Sequence, residues 1–449
     1  MISINPYTNQ TIAKYDELTD FAIKDKLFNS QIAYKKWKNT NFKERASLMQ
    51  KLSDVLLKDK NELANLMTIE IGKPIKQSIA EIEKCAWVCR YYAEISEFTL
   101  KNKFVETDAS KSFVKYEPLG VVLAIMPWNY PFWQYFRFIA PNLMVGNVGV
   151  LKHASNVCGS ALAIEKLFDK AGFPKNVSQT LLVSGKNTQK IIESEIIKAV
   201  TITGSVLAGS KVASLCGKLI KKTVLELGGN NALIVFEDAD IDKTIDIVIN
   251  ARYQNSGQSC IAGKRLLIHK NIHDIFLEKL KNKVSELKYL NPLDMNAEIG
   301  VLANEKFAIE LEEQMMKSIE KGAELIIGGK RQNAYFEPTI LTKVTPEMEV
   351  FKEETFGPLL AISTFTTDKE AIELSNNSEF GLGVSIFTKD EKRIKNMINN
   401  LEEGAVFINE LVKSDPRLPF GGIKKSGYGR ELSTNALFEF VNIKTVYIK

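Results

Sequence analysis

The chain has 449 residues, 45% of them hydrophobic and 25% charged, which is enough for two or three globular domains with a large core. Its formal net charge is +5, from 59 Lys and Arg against 54 Asp and Glu. This near balance gives no case for a nucleic-acid partner, which needs clustered basic residues; the lysine-rich runs read as solvated helix faces.

Residues 20–110 are predicted to be helical. Leu48, Leu52, Val55 and Leu56 recur on one helix face, and Gly72 and Pro74 stop the helix before them. Residues 81–101 form a further helical run, and 112–116 are extended. From Gly120 the pattern changes. Residues 121–125 form a short apolar run that suits a strand buried on both faces. A helix follows Pro131 as far as Leu143, then a strand over 148–151 and a helix over 158–171. Residues 180–183 are read as extended, 186–197 as helical and 199–202 as extended, with a new helix opening at Thr203-Gly204-Ser205. A second alternating half follows: a strand at 231–236, a helix leading to the loop around Cys260, a strand at 264–269, a helix at 271–288, and further alternation over 324–409. The last strand spans 441–448. Short apolar strands alternating with helices predict an α/β protein with doubly wound parallel sheets in two Rossmann-like domains. The junction falls near Leu227-Gly228-Gly229.

Cys85, Cys89, Cys158, Cys216 and Cys260 are odd in number and form no CxxC pair, so free thiols in a reducing cytoplasm are expected. With only three histidines and no HExxH motif, no catalytic metal is expected. The first residues lack a basic segment followed by an apolar one, and no run reaches membrane-spanning length, so neither a signal peptide nor a membrane partner is expected.

Ligands of an open parallel sheet bind beyond the C-terminal ends of its strands. Asn129, Lys152, Gly204 with Ser205, and Glu226 all fall at such ends. The Gly204-Ser205 turn opens a helix whose free N–H groups favour a phosphate; the alternative is a simple helix cap. Glu226 lies between apolar residues and a Gly-Gly pair, where desolvation raises a carboxyl toward general-base range; the alternative is a structural carboxylate bonded to backbone. Asn129 offers an N–H to an oxyanion or caps the helix near Pro131. Cys260 ends the run Gln254-Asn255-Ser256-Gly257-Gln258-Ser259, whose small and amide residues let backbone donors approach a sulfur.

Five strings occur in order: Pro127-Trp128-Asn129-Tyr130-Pro131, Glu226-Leu227-Gly228-Gly229-Asn230, Gly257-Gln258-Ser259-Cys260, Glu353-Glu354-Thr355-Phe356-Gly357-Pro358, and the stretch from Phe420 to Glu431. In this order and spacing the chain resembles the aldehyde dehydrogenase superfamily over nearly its whole length. The resemblance implies Cys260 as nucleophile toward an aldehyde, Asn129 and the Cys260 backbone N–H as oxyanion donors, and Glu226 as the base that activates water. It implies a nicotinamide cofactor held by Trp128 and Ser205 at the pyrophosphate, by Lys152 at the adenosine ribose, and by Glu354 and Phe356 near the nicotinamide ribose. Where NAD-selective members often carry a glutamate, this chain has Ser155, so both NAD and NADP are permitted. His153 stands where a proline is common.

Arg137 and Ser414 match residues that succinate-semialdehyde dehydrogenases use for the substrate carboxylate, so a carboxylated aldehyde is implied. Arg137 has an alternative reading as an ion pair. A second arginine of that pocket is Gln254 here, and Arg417 is a candidate to compensate. The strings Leu151-Lys152-His153-Ala154 and Arg252-Tyr253-Gln254-Asn255 resemble a bacterial succinate-semialdehyde dehydrogenase subgroup. The implied organisation is a cofactor-binding domain over 1–107 and 118–227, a catalytic domain over 228–435, and an oligomerisation arm from 108–117 and 436–449 that makes a homodimer or homotetramer.

Overall fold

The computed structural model describes residues 1–449. Its helices through the first half are α1 (Asp20–Trp37), α2 (Phe42–Lys58), α3 (Lys60–Ile71), α4 (Ile75–Thr99), α5 (Trp133–Val145), α6 (Cys158–Lys170), α7 (Gly185–Glu193), α8 (Val206–Lys218) and α9 (Ile241–Tyr253). Asn41 and Glu44 form a reciprocal capping box that starts α2. Gly72 closes α3 in the left-handed conformation that glycine tolerates best. Every residue of α5 is buried, its polar Gln134, Arg137 and Asn142 included, so this helix runs through the core.

The first sheet has six strands in the order Gly427–Tyr428, Lys222–Glu226, Ile197–Thr203, Val121–Met126, Val148–His153 and Ser178–Thr180. All pairings are parallel except the Gly427–Tyr428 edge, where Gly427 lies opposite Glu226 and Tyr428 opposite Leu225. The second sheet has seven strands: Glu324–Ile327, Thr339–Thr342, Leu359–Phe365, Gly263–His269, Asn231–Val235, Val384–Phe387 and Val406–Ile408. Only its Glu324–Ile327 edge is antiparallel. Two doubly wound parallel sheets are therefore present. A small third sheet pairs Lys111–Pro118 with Val441–Ile448 on one side and with Lys103–Phe104 on the other.

Several expected boundaries move. Helix does not continue to residue 110: α4 stops at Thr99, and Lys103–Phe104 is extended because it pairs with Phe113 and Val114. The third strand end lies at Ser178–Thr180, with 181–183 leaving the sheet. Helix α7 ends at Glu193, four residues short of the expected end, because Ile197 already enters the strand beside Val121. The stretch 228–435 is not confined to the second sheet. Its Gly427–Tyr428 strand joins the first sheet, and Phe420 and Leu432 pack into the first core.

Candidate active site

The loop that ends in Cys260 is held in an unusual backbone conformation. Asn255, Ser256 and Gly257 have φ values of 53°, 51° and 74°, three consecutive left-handed residues. Such strain persists only where the surroundings fix it. The Asn255 N–H donates to Gln77 Oε1 at 2.6 Å, and its side chain donates to the Asn129 carbonyl at 2.9 Å. A Cβ on Gly257 would lie 2.3 Å from the Gly357 carbonyl oxygen, so only glycine fits. A Cβ on Gly229 would lie 2.5 Å from the Cys260 carbonyl oxygen, so the segment linking the two sheets also touches the loop closely.

Asn129 does not cap the following helix. The N–H groups of Phe132 and Trp133, at the start of α5, both donate to Glu81 Oε1 of α4 at 2.9 Å. Glu81 is in turn paired with Lys73 in a fully buried ion pair. This leaves the Asn129 amide free for the Cys260 loop. One N–H of its Nδ2 donates to the Gln258 carbonyl at 3.0 Å, and its Oδ1 sits 2.7 Å from the Gln134 amide. The second Nδ2 hydrogen is left for an oxyanion.

Cys260 is half-buried and lines a cavity, whereas the other four cysteines are buried. Burial pushes its thiol up to about 11, partly offset by Arg137 and Lys264. The thiol of the free protein is therefore protonated near neutral pH. Glu226, at the end of its strand, is only 1% exposed. Neither of its carboxyl oxygens has a hydrogen-bond partner. This rules out the structural reading in which backbone donors satisfy it. Burial first, and then the charge of Glu431, drives its pKa well above the usual carboxylate range. A buried, unpartnered carboxyl with a raised pKa is a general acid or base in waiting.

A cavity of about 130 Å³ opens beside Cys260. Gln254, Ser414 and Arg137 all contribute to its wall, so the structure brings these expected substrate residues together. The guanidinium of Arg137 is largely committed, however, with Nη1 alone lacking a partner. It pairs with Glu431, donates to Thr203 Oγ1 at 3.0 Å, and lies 4.9 Å above the Phe420 ring. Arg417 is absent from the wall; it pairs with Asp415 at 2.7 Å and stacks on Trp87.

A second cavity, of about 710 Å³, lies between α7 and α8 at the strand ends of the first sheet. Lys152, Lys211 and Lys218 line it together with Ile125, Ile202 and Ala208, and no carboxylate faces it. Ser205 caps α8, accepting from the Ala208 N–H at 3.3 Å. The Gly204 N–H is not available to a phosphate, because it donates to the Glu226 carbonyl at 3.1 Å. The helix-cap alternative thus accounts for this turn. A Cβ placed on Gly204 would meet nothing closer than 3.9 Å, so the space over the turn is open. Ser155 is exposed and lies outside the cavity wall, with its carbonyl accepting from the Cys158 thiol. The Nε2–H of His153 donates to the Pro131 carbonyl at 2.9 Å, and its Nδ1 accepts from Ala154 at 3.0 Å. Burial holds this imidazole neutral, down to about 4, and it ties the end of the Lys152 strand to the Asn129 loop. Trp128 stacks on Phe307 and meets Phe356 edge-on, at ring separations of 5.0 and 5.7 Å.

A family model described as "Aldehyde dehydrogenase family" matches residues 1–446. The chain belongs to the aldehyde dehydrogenase family. It is 45% identical to "Probable succinate-semialdehyde dehydrogenase [NADP(+)]" of Synechocystis sp., with 99% of each chain covered. It is 41% identical to "Succinate-semialdehyde dehydrogenase [NADP(+)]" of Mycobacterium leprae, again with 99% of each covered. Among solved structures it resembles succinic semialdehyde dehydrogenase from Streptococcus pyogenes, in complex with NADP⁺, at a TM-score of 0.97 and 34% identity. That match covers 100% of this chain and 99% of the other.

Three site groups of this aldehyde dehydrogenase escaped the sequence reading. Lys264 donates to the Cys260 carbonyl and to Glu354 Oε1, both at 2.8 Å, and also to the Gly229 carbonyl. It thereby fixes the cysteine loop, Gly229 and Glu354 in one cluster. Glu431 was visible in the C-terminal string but its pairing with Arg137 was not. Lys84, on α4, reaches the wall of the Cys260 cavity. Its helix spacing with Gln77, Ala80 and Glu81, which share that wall, was the available signal.

Proposed function

We propose that this enzyme oxidises succinate semialdehyde to succinate, with NADP⁺ as the favoured acceptor and NAD⁺ permitted. The observation that carries the substrate is the cavity beside Cys260: small, bounded by Ser414, and lined by cationic side chains that suit a carboxylate at its far end. Its volume accommodates a short aldehyde. The names of the relatives support the same substrate. For the cofactor, three lysines around the second cavity without a facing carboxylate support an extra phosphate on the adenosine ribose.

The geometry supports the following roles. Cys260 Sγ bonds to the aldehyde carbon as its proton leaves toward Glu226 or solvent. The Cys260 backbone N–H and the free hydrogen of Asn129 Nδ2 receive the oxygen as it gains charge. When bound, the nicotinamide ring supplies the acceptor for the hydride that leaves this carbon, and the carbon becomes a thioester on Cys260. Glu226 then takes a proton from water as the water oxygen attacks the thioester carbon. The C–S bond breaks, and succinate and the thiol are released. Glu354, oriented through its Oε1 by Lys264 and the Gly229 N–H, keeps Oε2 available for a ribose hydroxyl. Lys152, in the wall of the second cavity, would hold the adenosine ribose, and Trp128 and Phe356, edge to face, would flank the cofactor.

The exposed strand Val441–Ile448, with Ile443, Tyr447 and Ile448 on its surface, supports a homo-oligomer built through the third sheet. Five free cysteines support a reducing compartment. The test of the function is a substrate panel. Succinate semialdehyde should give the highest kcat/KM among aldehydes of matched length, and higher with NADP⁺ than with NAD⁺. Equal rates with butanal would remove the carboxylate from the proposal; a requirement for coenzyme A would replace hydrolysis by acyl transfer.

A further inference from the structure

Four charged side chains line the cavity beside Cys260, and three of them already have partners. Glu81 is paired with Lys73, Arg137 with Glu431, and Lys413 with Glu410. Lys84 has no carboxylate partner. Its ammonium donates to Ser414 Oγ at 2.7 Å and lies 4.4 Å above the Trp133 ring. An ammonium has three donors, so two remain to be satisfied from the cavity.

Ser414 is oriented by the same arrangement. Its oxygen accepts from Lys84 and, at 3.1 Å, from the Trp133 indole N–H. A hydroxyl has two acceptor positions and one donor. With both acceptor positions filled, the Ser414 O–H must donate elsewhere, and the cavity is the open direction. Lys84 and Ser414 thus present donors side by side. Gln254, on the same wall, carries no charge.

We propose that Lys84, together with the Ser414 hydroxyl, is the carboxylate-binding pair of this enzyme, and that Arg137 acts behind it by holding Glu431 and Thr203. The inference rests on the reading of the substrate as a carboxylated aldehyde. It changes which side chain selects that substrate: an ammonium on α4 in place of a guanidinium on α5. The indole of Trp133 fixes the ammonium by a cation–π contact, and so lowers the ordering cost of a long side chain.

The test compares succinate semialdehyde with butanal, a neutral aldehyde of the same chain length, at saturating NADP⁺ for wild type, Lys84→Met and Lys84→Arg. Lys84→Met should lower kcat/KM for succinate semialdehyde about tenfold to a hundredfold, the range of a charge-assisted hydrogen bond, and mainly through KM. Butanal should lose far less, so the preference collapses. Lys84→Arg should retain most of it, which also shows that position 84 tolerates substitution. A wild-type preference that survives intact in Lys84→Met overturns the role of Lys84 and leaves the substrate reading standing. Equal losses for both aldehydes overturn it too, since Lys84 then supports the fold. No preference in the wild type overturns both.

Discussion

Arg137 is paired with Glu431 beneath the cavity that Cys260 shares, and the pair sits against the unpartnered carboxyl of Glu226. One guanidinium therefore serves two buried carboxyls. The positive charge of Arg137 favours ionised Glu226, whereas ionised Glu431 opposes it. Glu431→Gln removes the opposing charge and releases the guanidinium. The rising limb of the pH–kcat profile should move to lower pH. The same variant breaks a buried ion pair and should lower stability, read by denaturant unfolding.

Glu226 also couples pH to stability. Its folded pKa lies well above the ordinary carboxylate value, so the folded state holds this proton more tightly than the unfolded chain. The resulting stability is complete at low pH and is lost as pH rises from the ordinary carboxylate range through the raised value. Glu226→Gln carries no such proton. It should melt higher than wild type at about pH 9 and close to it at about pH 4. In turnover it should accumulate the acyl-enzyme, seen as added mass on Cys260. A steady-state rate unchanged at neutral pH removes Glu226 from the role of base.

The high pKa of Cys260 makes its alkylation a reporter. In the cofactor-free protein the rate with iodoacetamide should climb with pH up to about 11, because only the thiolate reacts. Under native conditions the label should map to Cys260 alone, the other four thiols being buried. Labelling of Cys85 or Cys89 at the same rate would show that the core opens.

The preference for a charged aldehyde should itself depend on pH. Burial, and then the nearby charge of Arg137, brings the Lys84 amine down to about 8, against smaller opposite effects of Cys85, Glu81 and Asp415. The groups facing it are Arg137 on α5, Glu81 and Cys85 on α4, and Lys413 and Asp415 on the loop that carries Ser414. A lowered amine is charged below its pKa and neutral above it. The ratio of kcat/KM for succinate semialdehyde over butanal should therefore fall above about pH 8 in wild type and stay level in Lys84→Arg. Taking the ratio cancels the titrations of Cys260 and Glu226, which act on both substrates.

Gly257→Ala tests the strained loop. A side chain there meets the Gly357 carbonyl in a left-handed backbone. The loop should shift, with a loss of about 1–3 kcal/mol in stability and a larger proportional loss in kcat.

Much of this was legible in the sequence. Short apolar strands gave away their C-terminal ends, and those ends carry Asn129, Lys152 and Glu226. Cys260 stood out through the glycine and amides before it, which the left-handed run at residues 255–257 requires. What stayed hidden were relations between distant side chains. Nothing in the spacing of α4 tells that Lys84 lacks an acid, because that depends on where Glu81, Glu410 and Glu431 find their partners. Arg137 lies on the cavity wall, and its commitment to Glu431 is a property of packing. The ends of α4 and α7 were misjudged for a similar reason: strand partners, not local propensity, stop them.

The two-residue edge at Gly427–Tyr428 carries a consequence for anyone cutting this chain. It hydrogen-bonds along Glu226 itself, and Glu431 follows it three residues later. A deletion that begins before Gly427 strips the sheet of its border, uncovers the buried carboxyl to water and removes the acid that holds Arg137. Such a truncation should be catalytically silent whatever becomes of its assembly state.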